Sequence, residues 1–169
     1  VLPEDFTLPP DGVHIRWPDP QLAQEYRMQA FKIYAAVAYA RANGLNRLVW
    51  DAPRPRLGII ACGKAWLDVR QALADLGIDE RAARDIGLRL YKVGMAWPLE
   101  ASGVRRFAQG LEEILVVEEK RQIIEYQLKE MLYDWRDDVR PRVVGKFDES
   151  GEWPAPPHQW LLPPTGELT

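Results

Sequence analysis

The stretch that most restricts what this chain can fold into is Leu88–Met131, LRLYKVGMAWPLEASGVRRFAQGLEEILVVEEKRQIIEYQLKEM. Leu88–Val93 is a mostly apolar run of strand length that breaks at Gly94. A helical pattern follows Trp97-Pro98-Leu99 and breaks at Gly110. Ile114–Val117 is a second apolar, β-branched run, and it meets the polar cluster Glu118-Glu119-Lys120-Arg121 before a last helix. Short apolar runs bounded by glycine or charge suit strands covered on both faces. Strand–helix–strand–helix is the unit of a parallel sheet with helices on its faces, and such sheets place their working surface at the strands' C-terminal ends.

Local chemistry sharpens these expectations. Proline has no N–H to lose at a helix's first turn, so Pro98 is expected there, with Trp97 extended before it. Glu100 then puts a negative charge near the positive end of the helix dipole. In the last helix Ile124, Leu128, Met131 and Trp135 share one apolar face, expected to meet the sheet. Glu125 and Lys129 form an i, i+4 pair worth ~0.2–0.5 kcal/mol.

The rest of the chain supplies the other layers. Val1–Pro18 is Pro-bearing and aperiodic and reads as an extended arm, with His14 a surface residue. Asp19-Pro20 predicts a helix start, with Asp19 as N-cap and Pro20 first in the helix, running to about Asn43 and stopping at Gly44. Its second half, Ile33–Ala40, is apolar almost all round and is expected to be buried on several sides. Asn46–Asp51 is expected as an edge strand and Leu57–Cys62 as a central one. A turn at Gly63-Lys64 should lead into a helix ending at Leu76, capped by Gly77, and Ile78–Gly87 should hold a short helical turn. Arg142–Val144 is a final short strand, after which Gly145–Glu149 leaves the sheet. The Pro-rich end 150–169 reads as a linker whose Trp153 and Trp160 dock on something. The expected domains are therefore 1–18 as arm, 19–149 as one α/β domain and 150–169 as linker.

With 169 residues there is enough chain for one domain with a sizeable core. A net charge of −3 offers no basic footprint for nucleic acid or for a membrane surface, and no apolar run approaches the ~20 residues that span a bilayer. The single cysteine, Cys62, excludes an internal disulfide and a cluster ligated by this chain alone, which fits a reducing cytoplasm. The start without methionine and the prolines gathered at both ends suggest a piece of a longer polypeptide.

Two constellations carry candidate chemistry. Gly58–Ala65 (GIIACGKA) nearly spells the phosphate-loop pattern GxxxxGK[ST], but its intervening Ile, Ile, Ala and Cys belong inside a strand, and Ala65 cannot hold magnesium. What survives is Gly63-Lys64 at a strand end and helix start, either a tight turn with a solvated lysine or a small anion site. Glu118-Glu119 sits where strand gives way to helix, either as a helix cap with local ion pairs or as a carboxylate pair for acid–base work. Cys62 is expected as an inert core thiol.

Leu57–Val69 (LGIIACGKAWLDV), Leu90–Glu100 (LYKVGMAWPLE) and Leu115–Leu132 (LVVEEKRQIIEYQLKEML) resemble, in family order, the fused bacterial indolepyruvate ferredoxin oxidoreductases of the wider 2-oxoacid:ferredoxin (pyruvate ferredoxin/flavodoxin) oxidoreductase family. His14–Ala23 and Asn43–Trp50 resemble the stretch preceding them. Ala61-Cys62 depart from the expected Ser or Thr ahead of Gly63-Lys64. The resemblance implies a transketolase C-terminal-like domain lying between thiamine-binding domains: a three-layer α/β/α sandwich with a mostly parallel sheet of about five strands and one antiparallel edge, formed by Asn46–Asp51. It implies a parent enzyme that decarboxylates a 2-oxoacid on thiamine diphosphate, with magnesium, and passes electrons through an iron–sulfur cluster to ferredoxin. None of those ligands can be placed on this sequence.

The reading that results is a non-catalytic domain holding its neighbours in register, with Gly63, Lys64, Met95, Trp97, Glu118 and Lys120 as the strand-end surface facing the rest of the enzyme. Its rivals are a stand-alone small-ligand or anion-binding module using Gly63-Lys64, and a pure oligomerisation domain.

Overall fold

A computed structural model describes residues 1–14, 16–148, 151 and 160–168. The chain divides into two compact units, Val1–Leu45 and Asn46–Thr169, so the long helix assigned above to the 19–149 domain falls in the first.

In the first unit, helices α1 (Gln21–Arg27) and α2 (Ile33–Ala42) are joined without a break by a π-helical turn, Met28–Lys32. The expected cap is displaced by one residue. Pro20 takes the N-cap position with φ −57° and ψ 142°, and no side chain caps the helix. The Asp19 carboxylate instead lies 3.9 Å from the Arg27 guanidinium, which also donates to the carbonyls of Asp11 and Gly12. The arm is thus tied back onto α1. Tyr34 and Tyr39 remain 60% and 49% exposed, so α2 is not covered all round as its composition suggested.

The second unit is a five-stranded sheet with strand order β1-β3-β2-β4-β5. Its strands are β1 (Arg47–Trp50), β2 (Leu57–Cys62), β3 (Leu88–Val93), β4 (Glu113–Val117) and β5 (Arg142–Val144). Only β1 is antiparallel, at the edge beside β3, and the other neighbours pair in parallel. This is the mostly parallel sheet with an antiparallel edge that the sequence led us to expect.

Alternation along the strands sorts the core into two layers. Ile60, Tyr91, Val93, Ile114 and Val116 meet α5 (Ala101–Ala108) and α6 (Ile124–Leu132) through Val104, Phe107, Ile124 and Leu128. Ile59, Ala61, Leu88, Leu90 and Val117 meet α3 (Gly63–Asp75) and α4 (Glu80–Ile86) through Trp66, Val69, Leu73 and Ala83. Gly58 in β2 is what lets the first layer close, because a Cβ there would lie 2.6 Å from Phe107 and 2.5 Å from Leu111. Met131 is partly buried against that layer on the apolar face expected of the last helix, whereas Trp135, also packed there, lies beyond the end of α6 at Leu132.

Trp160 is 41% exposed, while Trp153 and Glu149 lie outside the described residues. Among the described residues no helix is long and apolar enough to cross a membrane.

Candidate functional site at the strand ends

The C-terminal ends of β2, β3, β4 and β5 form one rim of the sheet; Met95, Trp97, Glu118 and Lys120 fall on the loops leaving β3 and β4, and Gly63 and Lys64 open the helix that follows β2. At β2 the expected turn is absent. The strand runs straight into α3, with Cys62 as N-cap and Gly63 taking the bend at φ +54°. Lys64, in the first turn, donates to both oxygens of Asp68 at 3.0–3.1 Å and to the carbonyl of Leu168 at 2.7 Å, and lies 3.5 Å from Glu119. Its hydrogen bond to Asp68 holds the ammonium above the usual lysine range. An anion arriving at Gly63-Lys64 has to compete with two carboxylates already there.

At β3 the loop Gly94–Leu99 is clamped from both sides. Asn46, just before β1, accepts the N–H groups of Gly94 and Met95 at 2.9 Å each and donates back to the Met95 carbonyl. Gln127 of α6 accepts the Leu99 N–H at 2.7 Å and donates to the carbonyls of Ala96 and Ile123. Trp97, preceding a cis peptide to Pro98, stands on this fixed loop 64% exposed. Pro98 is not in the first turn of α5. The helix starts at Ala101, and the buried Glu100 carboxylate caps it by accepting the N–H groups of Ser102 and Gly103 at 3.0 and 2.7 Å. The capping oxygen supplies what a proline cannot, a partner for open N–H groups at the helix start. Beside this cap the Tyr91 phenol is pushed up to about 12, first by burial and then by the Glu100 charge.

At β4 the cap-or-catalyst question has a geometric outcome. Glu118 is buried and accepts three consecutive N–H groups, those of Ile123, Ile124 and Glu125, at 2.9–3.1 Å. These are the open donors of α6, so Glu118 works as its cap from across the loop. Burial raises its carboxyl above the usual range despite the three hydrogen bonds, which favour the charged form. Lys120 makes the loop's reversal at φ +57° and is exposed. The Cys62 thiol is half-buried and pushed up, chiefly by burial and then by Glu118 and Glu119. That is the reverse of what activates a cysteine nucleophile.

The sequence reading missed the groups at β5. Glu125 is not a solvated partner of Lys129 but is 1% exposed, taking the Lys129 ammonium at 2.7 Å on one oxygen and the backbone N–H of Lys146 at 2.8 Å on the other. Lys146 is wholly buried and donates its ammonium to the carbonyl of Pro163 at 2.8 Å. Burial lowers its pKa, opposed by the charges of Glu118, Glu125 and Glu119. The available signals were slight. Glu125 adjoins the core residue Ile124, and Lys146 is flanked by Gly145 and Phe147, both buried. Glu100, Glu118 and Glu125 thus each accept at least one backbone N–H, so these three acids serve as fasteners of the rim's loops.

A family model described as the indolepyruvate ferredoxin oxidoreductase middle domain matches residues 46–169. Similar curated proteins include indolepyruvate oxidoreductase subunit IorA of Pyrococcus horikoshii, 35% identical over 91 residues that cover 54% of this chain and 13% of that protein. IorA of Methanothermobacter marburgensis is 35% identical over 109 residues, covering 64% of this chain and 16% of that protein. The chain therefore spans only 13–16% of the length of these relatives. Among solved structures it is similar to the 2-oxoglutarate:ferredoxin oxidoreductase from Magnetococcus marinus, at 16% identity and TM-score 0.48, covering 78% of this chain and 22% of that one. It is also similar to a split-gene transketolase, at 16% identity and TM-score 0.41, covering 65% of this chain and 34% of that one. The matched residues span the whole sheet unit, and the chain belongs to the indolepyruvate ferredoxin oxidoreductase middle-domain family.

Proposed function

We propose that this chain is a framework domain of a cytoplasmic, thiamine diphosphate-dependent oxidoreductase that acts on indolepyruvate with ferredoxin as acceptor. It presents the strand-end rim to the thiamine-binding domains of the same polypeptide, with 1–18 and 150–169 as its connections to them. The observation that carries this reading is the use of the rim's acids: Glu100, Glu118 and Glu125 are each bonded to backbone N–H groups and hold loops rather than face a substrate. On those fixed loops Trp97 and Ile123 are 64% and 50% exposed, and the Gln127 amide bonds to the carbonyls of Ala96 and Ile123. A large aromatic held rigidly and left in water suits an interface anchor. Gly63, Lys64, Met95 and Lys120 add the polar and backbone part of that strand-end surface, whereas Glu118, expected on it, is buried beneath as the cap of α6.

The residues of this chain do not fit the parent enzyme's cofactors. A diphosphate at Lys64 meets Asp68 and Glu119, and among the described residues no three His, Cys, Asp or Glu side chains are grouped to hold a metal ion. The chain's part is therefore to position neighbours and, in a homo-oligomeric enzyme, to contribute to the subunit contact.

The test is Trp97→Asp in the whole oxidoreductase that contains this domain. The expected result is a folded enzyme with turnover of indolepyruvate reduced about tenfold or more and faster proteolysis at the domain junctions, since central anchors dominate interface energetics. Turnover by this chain alone with indolepyruvate, thiamine diphosphate and ferredoxin overturns the reading. Calorimetric binding of phosphate, coenzyme A or a nucleotide tighter than micromolar, abolished by Lys64→Met, replaces it with the anion-module alternative.

A further inference from the structure

The face of the sheet that carries α3 and α4 is not finished by helices. Beyond α3, Leu115 and Val117 of β4 line an apolar groove of about 490 Å³ together with Leu73 and Leu76. Ile59, Val69 and Ala72 add to that lining, and Leu162 and Leu168 complete it from a segment without regular secondary structure. Among the described residues, three hydrogen bonds tie that segment down, and Trp160 is held as well. Leu161 donates its N–H to the Lys146 carbonyl at 2.8 Å, and the Lys146 ammonium donates to the Pro163 carbonyl at 2.8 Å. Near the other end, the Lys64 ammonium donates to the Leu168 carbonyl at 2.7 Å.

The segment has no ladder pairing and no helix, so it is held by far less than a central strand is. Segments with so few buried contacts open on their own, at a small fraction of the global unfolding free energy. Both fastening lysines are rooted in the sheet unit itself, Lys64 in α3 and Lys146 after β5, so lifting the segment breaks no strand pairing. We propose that residues 160–168 form a latch, seated by Lys146 and Lys64, which walls the β4 side of the apolar groove through Leu162 and Leu168 and lifts from it while the sheet stays folded. The segment is one wall of the groove, and a lifted latch bares Leu115 and Val117. The latch rests on contacts within the sheet unit and does not depend on the interface reading above.

Hydrogen exchange on the full chain tests it, reading the Leu161 amide against the amides of β2 and β3. In the wild-type chain the Leu161 amide is expected to exchange about tenfold or more faster than the β2 amides, yet slower than in a free peptide. Lys146→Met and Leu162→Ser are each expected to speed it by a further tenfold or so, to leave β2 and β3 protected, and to raise binding of the dye anilinonaphthalene sulfonate. The proposal is overturned if Leu161 exchanges at the free-peptide rate in the wild type, if it exchanges together with β2, or if Leu162→Ser does not move it. Should Lys146→Met fail to fold, Leu162→Ser, which alters the latch alone, decides by the same readings.

Discussion

Lys146 presents its backbone N–H to the Glu125 carboxylate at 2.8 Å, joining residues 21 apart, and Gly145 makes room for the approach. A Cβ at position 145 would collide with the same carboxylate oxygen. Glu125→Ala therefore removes the partner of a buried N–H and of the Lys129 ammonium in one step. Lys129 is partly exposed and keeps water, so the cost is chiefly that of the unpaired buried N–H, about 1–3 kcal/mol. Urea unfolding of Glu125→Ala is expected to show a loss in that range, and Glu125→Gln a smaller one.

Glu118 gives a different signature because its environment pulls both ways. Glu118→Ala opens three N–H groups at the start of α6 and is expected to cost about 1–2 kcal/mol, as strong helix caps do. The carboxyl is raised above 4.5 in the fold, so the folded state holds this proton to higher pH than the unfolded chain. Its contribution is complete below about 4.5 and shrinks as pH rises through the raised value. Glu118→Gln, measured by urea midpoints from pH 4 to 7, is expected to flatten that decline while keeping part of the cap.

Tyr91 provides the clearest pH test. Its hydroxyl is buried without a hydrogen-bond partner among the described residues, and its pKa is raised from 10.0 to about 12. Tyr91→Phe is expected to stabilise the protein by ~1 kcal/mol at neutral pH, since an unpaired buried hydroxyl is a cost. Between pH 10 and 12 the unfolded chain loses the tyrosine proton while the fold retains it, so wild-type stability falls as pH rises. At ~1.4 kcal/mol per pH unit, the advantage of Tyr91→Phe is expected to widen by up to about 3 kcal/mol across that window. Absorbance titration of the phenolate locates the same step.

Gly58 tests the packing of the first core layer. An added methyl meets Leu111 at 2.5 Å and Phe107 at 2.6 Å, inside a central strand with no slack. Gly58→Ala is expected to destabilise by about 1–3 kcal/mol, the usual cost of overpacking, and Phe107→Leu in the same chain to recover part of it. A double-mutant cycle by thermal unfolding measures the coupling.

The strands were legible because each is a short apolar run stopped by glycine, proline or charge, and Leu57–Cys62, Leu88–Val93 and Arg142–Val144 were placed to the residue. Local rules failed where a more distant group supplied the solution. Pro98 is a good helix opener by propensity, but the Glu100 carboxylate sets the start of α5 three residues later, at Ala101. Asp19 is a good cap by residue type, but Arg27 takes its carboxylate. Helical spacing predicted the Glu125–Lys129 pair, but it says nothing about the loop after β5 that buries Glu125. At the rim, the sequence located the loops but not their fasteners: Asn46 and Gln127 act on a segment 28–49 residues away in sequence.

The outermost parallel strand, β5, is three residues long and directly follows Pro141. A sheet margin so brief gives an approaching chain almost no ladder to extend, and a proline at its threshold withholds one donor more. This margin of the domain is accordingly a poor template for fibril growth, which suits a fold that carries Ile, Leu and Val runs in its interior strands.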